Sequence, residues 1–482
     1  MTHEARAAIL LTAVLVLTAT VGVAQMPDRS APPALGPPPS LDLPPLTRFE
    51  LANGVDVVVL ERHRVPVAQA LVLVRAGAVD DPEGKAGLAR MTAAMLDEGA
   101  AGRSALELGD LVQALGAELT TESTEHATRI GLFVPTSHLE AALGLLADVV
   151  ARPDFPAEEL ERQRLDALTE QLQARDEPRA IARAELAHAV FGPHPYGRTP
   201  DATSVGGLTV DDVRAFHQAY FRPDNATLVL VGDVTEAAVR PLLEDTFGSW
   251  TGAEEGRRPA QVGVAPQVEG RTIYLVDKPG AAQSEIRIGR VGFARSTEDY
   301  FALTVMNTVL GGSFTSRLNS NLREDKGYSY GAGSGFTFLP TPGPFVAAAA
   351  VQTDVTDKAL AEFMKELEGI SSIGDEELER ARNYVALRYP RRFETVSDTA
   401  DRIAELVLFD LPDDTFNRTV PSILAVTREQ AEAAARRAID PGSLAIVVVG
   451  DREVIESGIA ALGLGDIVDL TVDDVLGPAP AP

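Results

Sequence analysis

A segment in the middle of the chain recurs near its end, and this repeat constrains the fold more than any other feature. The first copy, residues 209–233, reads TVDDVRAFHQAYFRPDNATLVLVGD, and the second, residues 427–451, reads TREQAEAAARRAIDPGSLAIVVVGD. The offset is a constant 218 residues, so that Pro223 aligns with Pro441 and both copies end in Gly-Asp. A match of this length without a gap indicates two homologous halves, each with a helix, a proline turn and a buried strand.

The remaining segments show helical periodicity in some places and strand alternation in others, which predicts an α+β fold. A length of 482 residues also favours more than one domain. The predicted elements are a hairpin around Asn53-Gly54, a strand over Val67–Val74, helices over 85–98 and 156–173, and a helix capped by Ser104 and Glu107.

Composition is that of a globular protein, with 45% hydrophobic and 23% charged residues. The net charge of -27 disfavours nucleic-acid binding, because that function needs a basic surface. The absence of cysteine excludes disulfides, thiol nucleophiles and cysteine-bound metal. Any metal site would therefore use carboxylates and the seven histidines.

The N-terminus has the pattern of a secretory signal. Arg6 precedes an apolar run over residues 7–24, which ends in the small-x-small sequence Gly22-Val23-Ala24. We therefore expect export to the periplasm or the cell exterior, with an uncleaved membrane anchor as the alternative. A Pro-rich spacer follows.

These patterns predict the following organisation along the chain. The segments are a signal peptide (1–24), a Pro-rich linker (25–45), a first half (46–251), a linker (252–269), a second half (270–465) and a flexible tail (466–482).

Several motifs resemble one peptidase family. FGPHPYGRTP at residues 191–200, the segment 209–233 and GSFTSRLNSNLREDKGYSYG at residues 312–331 are similar to those of the pitrilysin-like metallopeptidases, which include the mitochondrial processing peptidase. The resemblance covers residues 46–465 and includes the two-half layout. It implies two α+β halves packed like a clamshell around a chamber.

The same resemblance implies that the catalytic zinc site is missing. Active members carry His-x-x-Glu-His on a helix, with a second Glu on a later helix. Here Arg90 stands at the first His, Ala93 at the general base and Ala94 at the second His, and only the later Glu170 remains. A guanidinium repels zinc and a methyl group has no lone pair, so we expect neither metal nor catalytic base in this chain. Arg90 and Glu170 would approach each other, with a merely solvated Glu170 as the alternative.

A second acidic and histidine-containing stretch, Glu122–His126, superficially resembles the motif. It lies in the alternating segment Thr120–Val134, which predicts a strand on which Glu125 and His126 point to opposite faces. We therefore predict no metal site there. His194 and His217 are expected to have packing or surface roles.

The second half keeps the residues that the family uses to contact substrate. Its members place an Arg and a Tyr near the scissile bond, and Arg323 and Tyr330 occupy these positions. Both side chains can donate hydrogen bonds to a carbonyl oxygen that gains negative charge. The alternatives are an Arg323 that pairs with Glu324 or Asp325, a Tyr330 in the core, and Tyr328 in place of Tyr330.

The resemblance therefore implies a non-catalytic subunit of a heteromeric metallopeptidase. A zinc-bearing sister chain would supply the metal, and the substrate would be a peptide or unfolded protein. No nucleic-acid partner is expected. Contact with a membrane is expected only if the signal segment is not cleaved. The alternative is a non-proteolytic peptide-binding or scaffold protein of the same fold.

Overall fold

The computed structural model of the protein describes residues 36, 40–252 and 256–480. The predicted signal peptide and most of the Pro-rich linker lie outside these residues. Within the described part, no helix is long and apolar enough to cross a membrane.

The first half contains a six-stranded sheet in the order β1-β2-β8-β3-β7-β6 and a two-stranded ribbon, β4-β5. Its strands are β1 (Thr47–Glu50), β2 (Asp56–Glu61), β3 (Val67–Val74), β4 (Gly99–Ala100), β5 (Arg103–Ser104), β6 (Glu118–Ser123), β7 (Thr128–Pro135) and β8 (Ala226–Gly232). Its α-helices are α1 (Leu88–Ala94), α2 (Ala105–Ala114), α3 (Leu139–Ala151), α4 (Ala157–Ala174), α5 (Pro178–Phe191), α6 (Ala202–Gly206), α7 (Val210–Tyr220) and α8 (Glu236–Phe247).

The second half contains another six-stranded sheet, in the order β11-β12-β10-β13-β9-β14. Its strands are β9 (Arg271–Asp277), β10 (Gln283–Val291), β11 (Ser329–Phe336), β12 (Pro344–Gln352), β13 (Leu444–Gly450) and β14 (Asp466–Leu470). Its α-helices are α9 (Tyr300–Leu310), α10 (Arg317–Asn319), α11 (Thr356–Gly369), α12 (Asp375–Arg388), α13 (Val396–Leu408), α14 (Thr415–Ala425), α15 (Arg428–Ala438), α16 (Arg452–Ala461) and α17 (Val472–Leu476).

The repeated sequence forms the same unit in both halves. Helices α7 and α15 lead through a turn into the fully buried strands β8 and β13. Thr209 and Thr427 cap the two helices by accepting a hydrogen bond from a backbone N–H in the first turn. The prediction of two homologous halves is confirmed at the level of these elements.

The local turn and cap signals are also confirmed. β1 and β2 pair antiparallel around Gly54, whose φ of 95° is a conformation that favours glycine over other residues. Ser104 caps the N-terminus of α2. The helix predicted over 85–98 is shorter, since α1 covers only Leu88–Ala94. It begins after Gly87, whose backbone has a left-handed φ of 95°.

Each sheet is covered on one face by helices of its own half and on the other by a helix of the opposite half. The second-half helix α13 lies on β3 and β8 of the first sheet, where Ile403 is buried against Leu71 and Val229. The first-half helix α5 lies on β10 and β13, where Ile181 is buried against Val447. The halves are therefore joined by an exchange of one helix each.

The exchanged helices belong to the repeat itself. α5 begins at Pro178 and α13 at Val396, which is the same offset of 218 residues. Each half alone would expose an apolar sheet face, because the helix that covers it lies in the other half. Burial on both faces explains why β8 and β13 read as continuous apolar runs rather than alternating ones.

The C-terminal tail differs from the prediction. The tail predicted to be flexible over 466–482 is wrong for residues 466–476, because β14 pairs in parallel with β9 and α17 packs on α5. Val475 is buried there. The linker over 252–269 runs along the first half, where the backbone N–H of Ala260 donates to Asp80 Oδ1 at 2.6 Å.

We predict that the two halves unfold together because of the exchanged helices. Ile403→Ala removes buried contacts to the first sheet and should destabilise the protein by about 2–5 kcal/mol. Ile181→Ala removes the corresponding contacts to the second sheet and should act similarly. Urea unfolding followed by circular dichroism should show one transition, moved to lower urea in both variants.

Leu106→Ala is the matched control, because Leu106 is 75% exposed. It should change stability by less than about 0.5 kcal/mol. Two separate transitions, with only one of them moved by Ile403→Ala, would contradict the joint unfolding of the halves.

Candidate functional site

The N-terminus of α1 is held by a buried carboxylate. Asp81 accepts hydrogen bonds from the backbone N–H groups of Gly87 and Ala89, each at 2.7 Å. Burial raises the pKa of Asp81 to about 6, although these two hydrogen bonds act in the opposite direction. The hydrogen bonds from the backbone of α1 to Asp81, together with packing, hold this helix in position.

α1 and α4 border an open pocket of about 300 Å³. Arg90, Ala94 and Glu170 all line it, together with Asp166 and Pro200. Arg90 and Ala94 stand where the family motif has its two His ligands, and Glu170 stands where the motif has its later Glu. The chain therefore has a pocket at the place of the family's metal site, but it lacks most of the side chains that would bind the metal.

The predicted contact between Arg90 and Glu170 is present. Arg90 Nη2 donates to Glu170 Oε2 at 2.6 Å. The side chains of Arg90 and Glu170 are 68% and 59% exposed, respectively, so Glu170 is both paired and solvated. Such an exposed pair contributes about 0–1 kcal/mol.

The side chains in this pocket do not fit a zinc ion. Ala93 is almost fully buried and does not line the pocket, and Asp166 and Glu170 are accompanied by no histidine. Across the described residues, no group of three or more metal-ligating side chains comes together. Zinc in proteins is held by at least three such donors, so no chemical step of this chain is assigned to a metal.

The stretch Glu122–His126 runs from the end of a strand into a hairpin turn and is not part of one continuous strand. β6 ends at Ser123 and β7 begins at Thr128, so Glu125 and His126 lie between them. His126 forms a hydrogen bond with the hydroxyl of Tyr196, and burial lowers the pKa of His126 to about 4. Tyr196 Oη lies 2.7 Å from Thr341 Oγ1, so this contact connects the two halves.

The two other histidines considered above have structural partners. His194 Nε2 lies 2.9 Å from the carbonyl oxygen of Gly263 in the linker. His217 is buried and its Nε2 lies 2.8 Å from the carbonyl oxygen of Val150. Burial lowers the pKa of His217 to about 4, so the imidazole is neutral at physiological pH. Packing roles are confirmed for both.

Arg323 lies in a π-helical turn, Ser320–Asp325, that follows α10. Such turns are rare and frequently occur at functional sites. Gly327, with a φ of 67°, follows the end of this turn, where a left-handed backbone favours glycine. Arg323 Nε lies 3.4 Å from Glu324 Oε1, and its Cζ lies 4.5 Å from the ring centroid of Phe314.

Tyr330 projects from the edge strand β11 and is 92% exposed. This excludes the alternative in which Tyr330 belongs to the core. The pairing of β11 with β12 shifts register between Ser329 and Ala332, so side-chain direction does not follow simple alternation there. Tyr328 packs against the second-half core, and the expectation that it could replace Tyr330 is therefore not supported.

A larger pocket, of about 600 Å³, lies between the halves and was missed in the sequence. It contains Arg183 and Arg198 from the first half and Arg287 from the second. Arg198 and Thr199 line this pocket while the next residue, Pro200, lines the α1 pocket, so the two pockets share a wall. Only the exchange of α5 brings these residues together, and no sequence motif signals it.

We predict that the purified chain holds no stoichiometric zinc, and that two substitutions create a zinc site. Arg90→His/Ala94→His places two imidazoles one helical turn apart beside Glu170. The variant should bind about one zinc ion per chain, measured by atomic emission after dialysis.

Adding Glu170→Gln to that variant is the matched control and should abolish tight binding, because an amide is a poor zinc ligand. The prediction is wrong if the unaltered chain retains zinc at a one-to-one ratio after dialysis. It is also wrong if the two-histidine variant binds zinc equally well with and without Glu170.

Comparisons with known proteins agree with this description of the fold. Residues 57–203 match the sequence model described as insulinase (peptidase family M16), and residues 207–385 match the one described as peptidase M16 inactive domain. An uncharacterized zinc protease of Mycobacterium bovis is 30% identical over 311 residues, which are 63% of this chain and 69% of that protein. A zinc protease of Helicobacter pylori, PqqE, is 24% identical over 379 residues, or 76% of this chain and 84% of that protein.

Solved structures extend the comparison to nearly the whole described chain. A peptidase M16 inactive domain from Pseudomonas fluorescens superimposes with a TM-score of 0.79 and 25% identity, covering 84% of this chain and 98% of that one. A protease from Helicobacter pylori has the same TM-score of 0.79 at 21% identity, covering 85% of this chain and 100% of that one. They confirm the predicted α+β fold of two homologous halves arranged as a clamshell. From these matches and its own repeat, the chain belongs to peptidase family M16.

Proposed function

We propose that this chain is the zinc-less subunit of a heteromeric M16 peptidase. A sister chain would carry the zinc ligands and the general base, and this chain would add Arg323, Tyr330 and part of the chamber wall. The exposure of Tyr330 carries the proposal. A tyrosine that is 92% exposed on an edge strand has little packing role, so its hydroxyl is available to a bound molecule.

Arg323 supports the same role. Its carboxylate neighbour, Glu324, lies at a loose 3.4 Å and its guanidinium also faces the ring of Phe314. Such stacking fixes the position of the group while leaving several N–H donors unused. A fixed donor stabilises a carbonyl oxygen most when negative charge develops on it, as in peptide hydrolysis.

The sheet edges support a peptide as the bound molecule. β6 ends the first sheet and β11 the second, and β6 packs against α1. An edge strand presents unpaired backbone groups to which an extended peptide can add. A peptide on β6 would therefore pass the pocket that contains Arg90 and Glu170.

Export from the cytoplasm is part of the proposal and rests on the N-terminal sequence pattern alone. The alternative function is a peptide-binding or scaffold protein without a proteolytic role. The loss of zinc ligands at Arg90 and Ala94 is equally compatible with it. A neighbouring reading frame with an intact His-x-x-Glu-His motif would favour the subunit, and its absence the scaffold.

We predict that Arg323→Ala and Tyr330→Phe each lower peptide hydrolysis by a mixture of this chain with its zinc-bearing sister. Loss of one donor to the developing oxyanion should reduce kcat on the order of a hundredfold. If Arg323 only holds the substrate backbone, KM should rise instead while kcat is unchanged. Initial rates over a range of peptide concentrations separate the two.

Two substitutions serve as controls in the same mixture. Tyr328→Phe removes a hydroxyl from the neighbouring tyrosine, and Glu170→Gln removes the carboxylate of the α1 pocket that pairs with Arg90. Both should leave the rate nearly unchanged, because neither group faces the reacting carbonyl in this proposal. Full activity and unchanged KM in both the Arg323 and the Tyr330 variants would reject the chamber role.

A further inference from the structure

The pocket between the halves combines an apolar floor with a cationic rim. It forms beside the contact of α5 with β10 and β13, where residues of α5, β11 and β12 line it together. The apolar part of its lining includes Phe336, Leu339, Pro344 and Val346. Three arginines and one carboxylate, Glu125, supply its charged groups.

The three arginines come from separate elements that the exchange of α5 brings together. Arg183 lies on α5, Arg198 follows the turn after α5, and Arg287 lies on β10. Arg287 is largely buried and its Nε lies 3.0 Å from Glu285 Oε1. Its charge is therefore compensated within the protein.

Arg183 and Arg198 are not compensated in this way. Of the three arginines, only Arg287 forms an ion pair among the described residues. Arg198 Nη1 donates to the backbone carbonyl of Asp81 at 3.3 Å, which leaves its other donors available. Burial lowers the pKa of Arg287, Glu285 raises it, and the positive charge of Arg183 lowers it further, so Arg183 and Arg287 repel each other.

This positive pocket contrasts with the rest of the chain. The protein has 70 acidic and 43 basic residues, whereas the pocket is lined by two arginines without an ion pair, by the paired Arg287 and by one carboxylate, so its charge departs from the average of the chain. Nearby like charges raise the free energy of the unliganded state, and an anion would relieve that repulsion. A long polyanion such as nucleic acid would be repelled by the surrounding acidic surface. A single carboxylate would balance the excess positive charge of Arg183 and Arg198 over Glu125.

We propose that Arg183 and Arg198 bind a carboxylate of the peptide that this chain recognises, either its C-terminus or an acidic side chain. This rests on the proposed peptide-binding function and adds the class of substrate. The guanidinium groups would hold the carboxylate, and the apolar floor would accept the adjoining side chain. Arg198 and Thr199 line this pocket, and the next residue, Pro200, lines the one beside α1. Because the two pockets are neighbours, the bound peptide would extend from one to the other.

The test is equilibrium binding of labelled peptides to the purified full chain, followed by fluorescence anisotropy. Three peptides share one uncharged sequence. The first has a free C-terminal carboxylate, the second a C-terminal amide, and the third an amide with one internal Glu. At least one carboxylate peptide should bind about tenfold more tightly than the uncharged amide. Preference for the first identifies the terminus, and preference for the third identifies the side chain.

Arg183→Gln, Arg198→Gln and the double variant should remove this preference, so that the carboxylate peptides bind no more tightly than the uncharged amide. Arg183→Gln is the sharper variant, because Arg198 also contacts the segment that holds α1. Arg64→Gln is the matched control, an exposed arginine of the first half outside the pocket, and should keep the preference.

The proposal is overturned if the three peptides bind equally, if none binds, or if the double variant retains the preference. The readout needs no sister chain, so it is separate from the hydrolysis experiment. Equal binding of all three peptides would reject the carboxylate site and leave the peptide-binding function standing. A carboxylate preference without any activity in the mixture would reject the catalytic subunit role alone.

Discussion

The exchange of one helix between the two halves is the constraint on which the rest of the structure depends. α5 covers the second sheet and α13 covers the first, so each half completes the hydrophobic core of the other. Separation of the halves would expose both sheets to water, at a cost proportional to the apolar area uncovered. The space between the halves is consequently fixed, and Arg183 of one half and Arg287 of the other are held in one wall.

The same arrangement explains why the fold tolerates the loss of a metal site. The position of α1 is set by the carboxylate of Asp81 and by the buried side chains of Leu88 and Met91, not by ligands to a metal. The exposed pair between Arg90 and Glu170 adds at most about 1 kcal/mol. The pocket therefore stays open without its metal, because the surrounding core determines its shape.

The sequence predicts those features that depend on local or repeated patterns. The constant offset predicts two halves, and the cap at Ser104 and the turn at Gly54 follow from local backbone requirements. The exchange of α5 and α13 is not predictable in this way, because periodicity identifies an apolar helix face but not the sheet that covers it. The exposure of Tyr330 and the packing of Tyr328 depend on a register shift in β11 that no residue pattern signals. For the same reason, the arginine pocket between the halves is visible only in three dimensions.

The measurement that tests the subunit role most directly is the zinc content of the native complex isolated through this chain. The complex should contain a second M16 chain and about one zinc ion for each pair of chains, because in this proposal the complete ligand set belongs to the sister. Peptide hydrolysis should be lost when that zinc is removed and should return when zinc is restored. A chain that is isolated alone or only with copies of itself, or a complex with about two zinc ions per pair, would contradict this account.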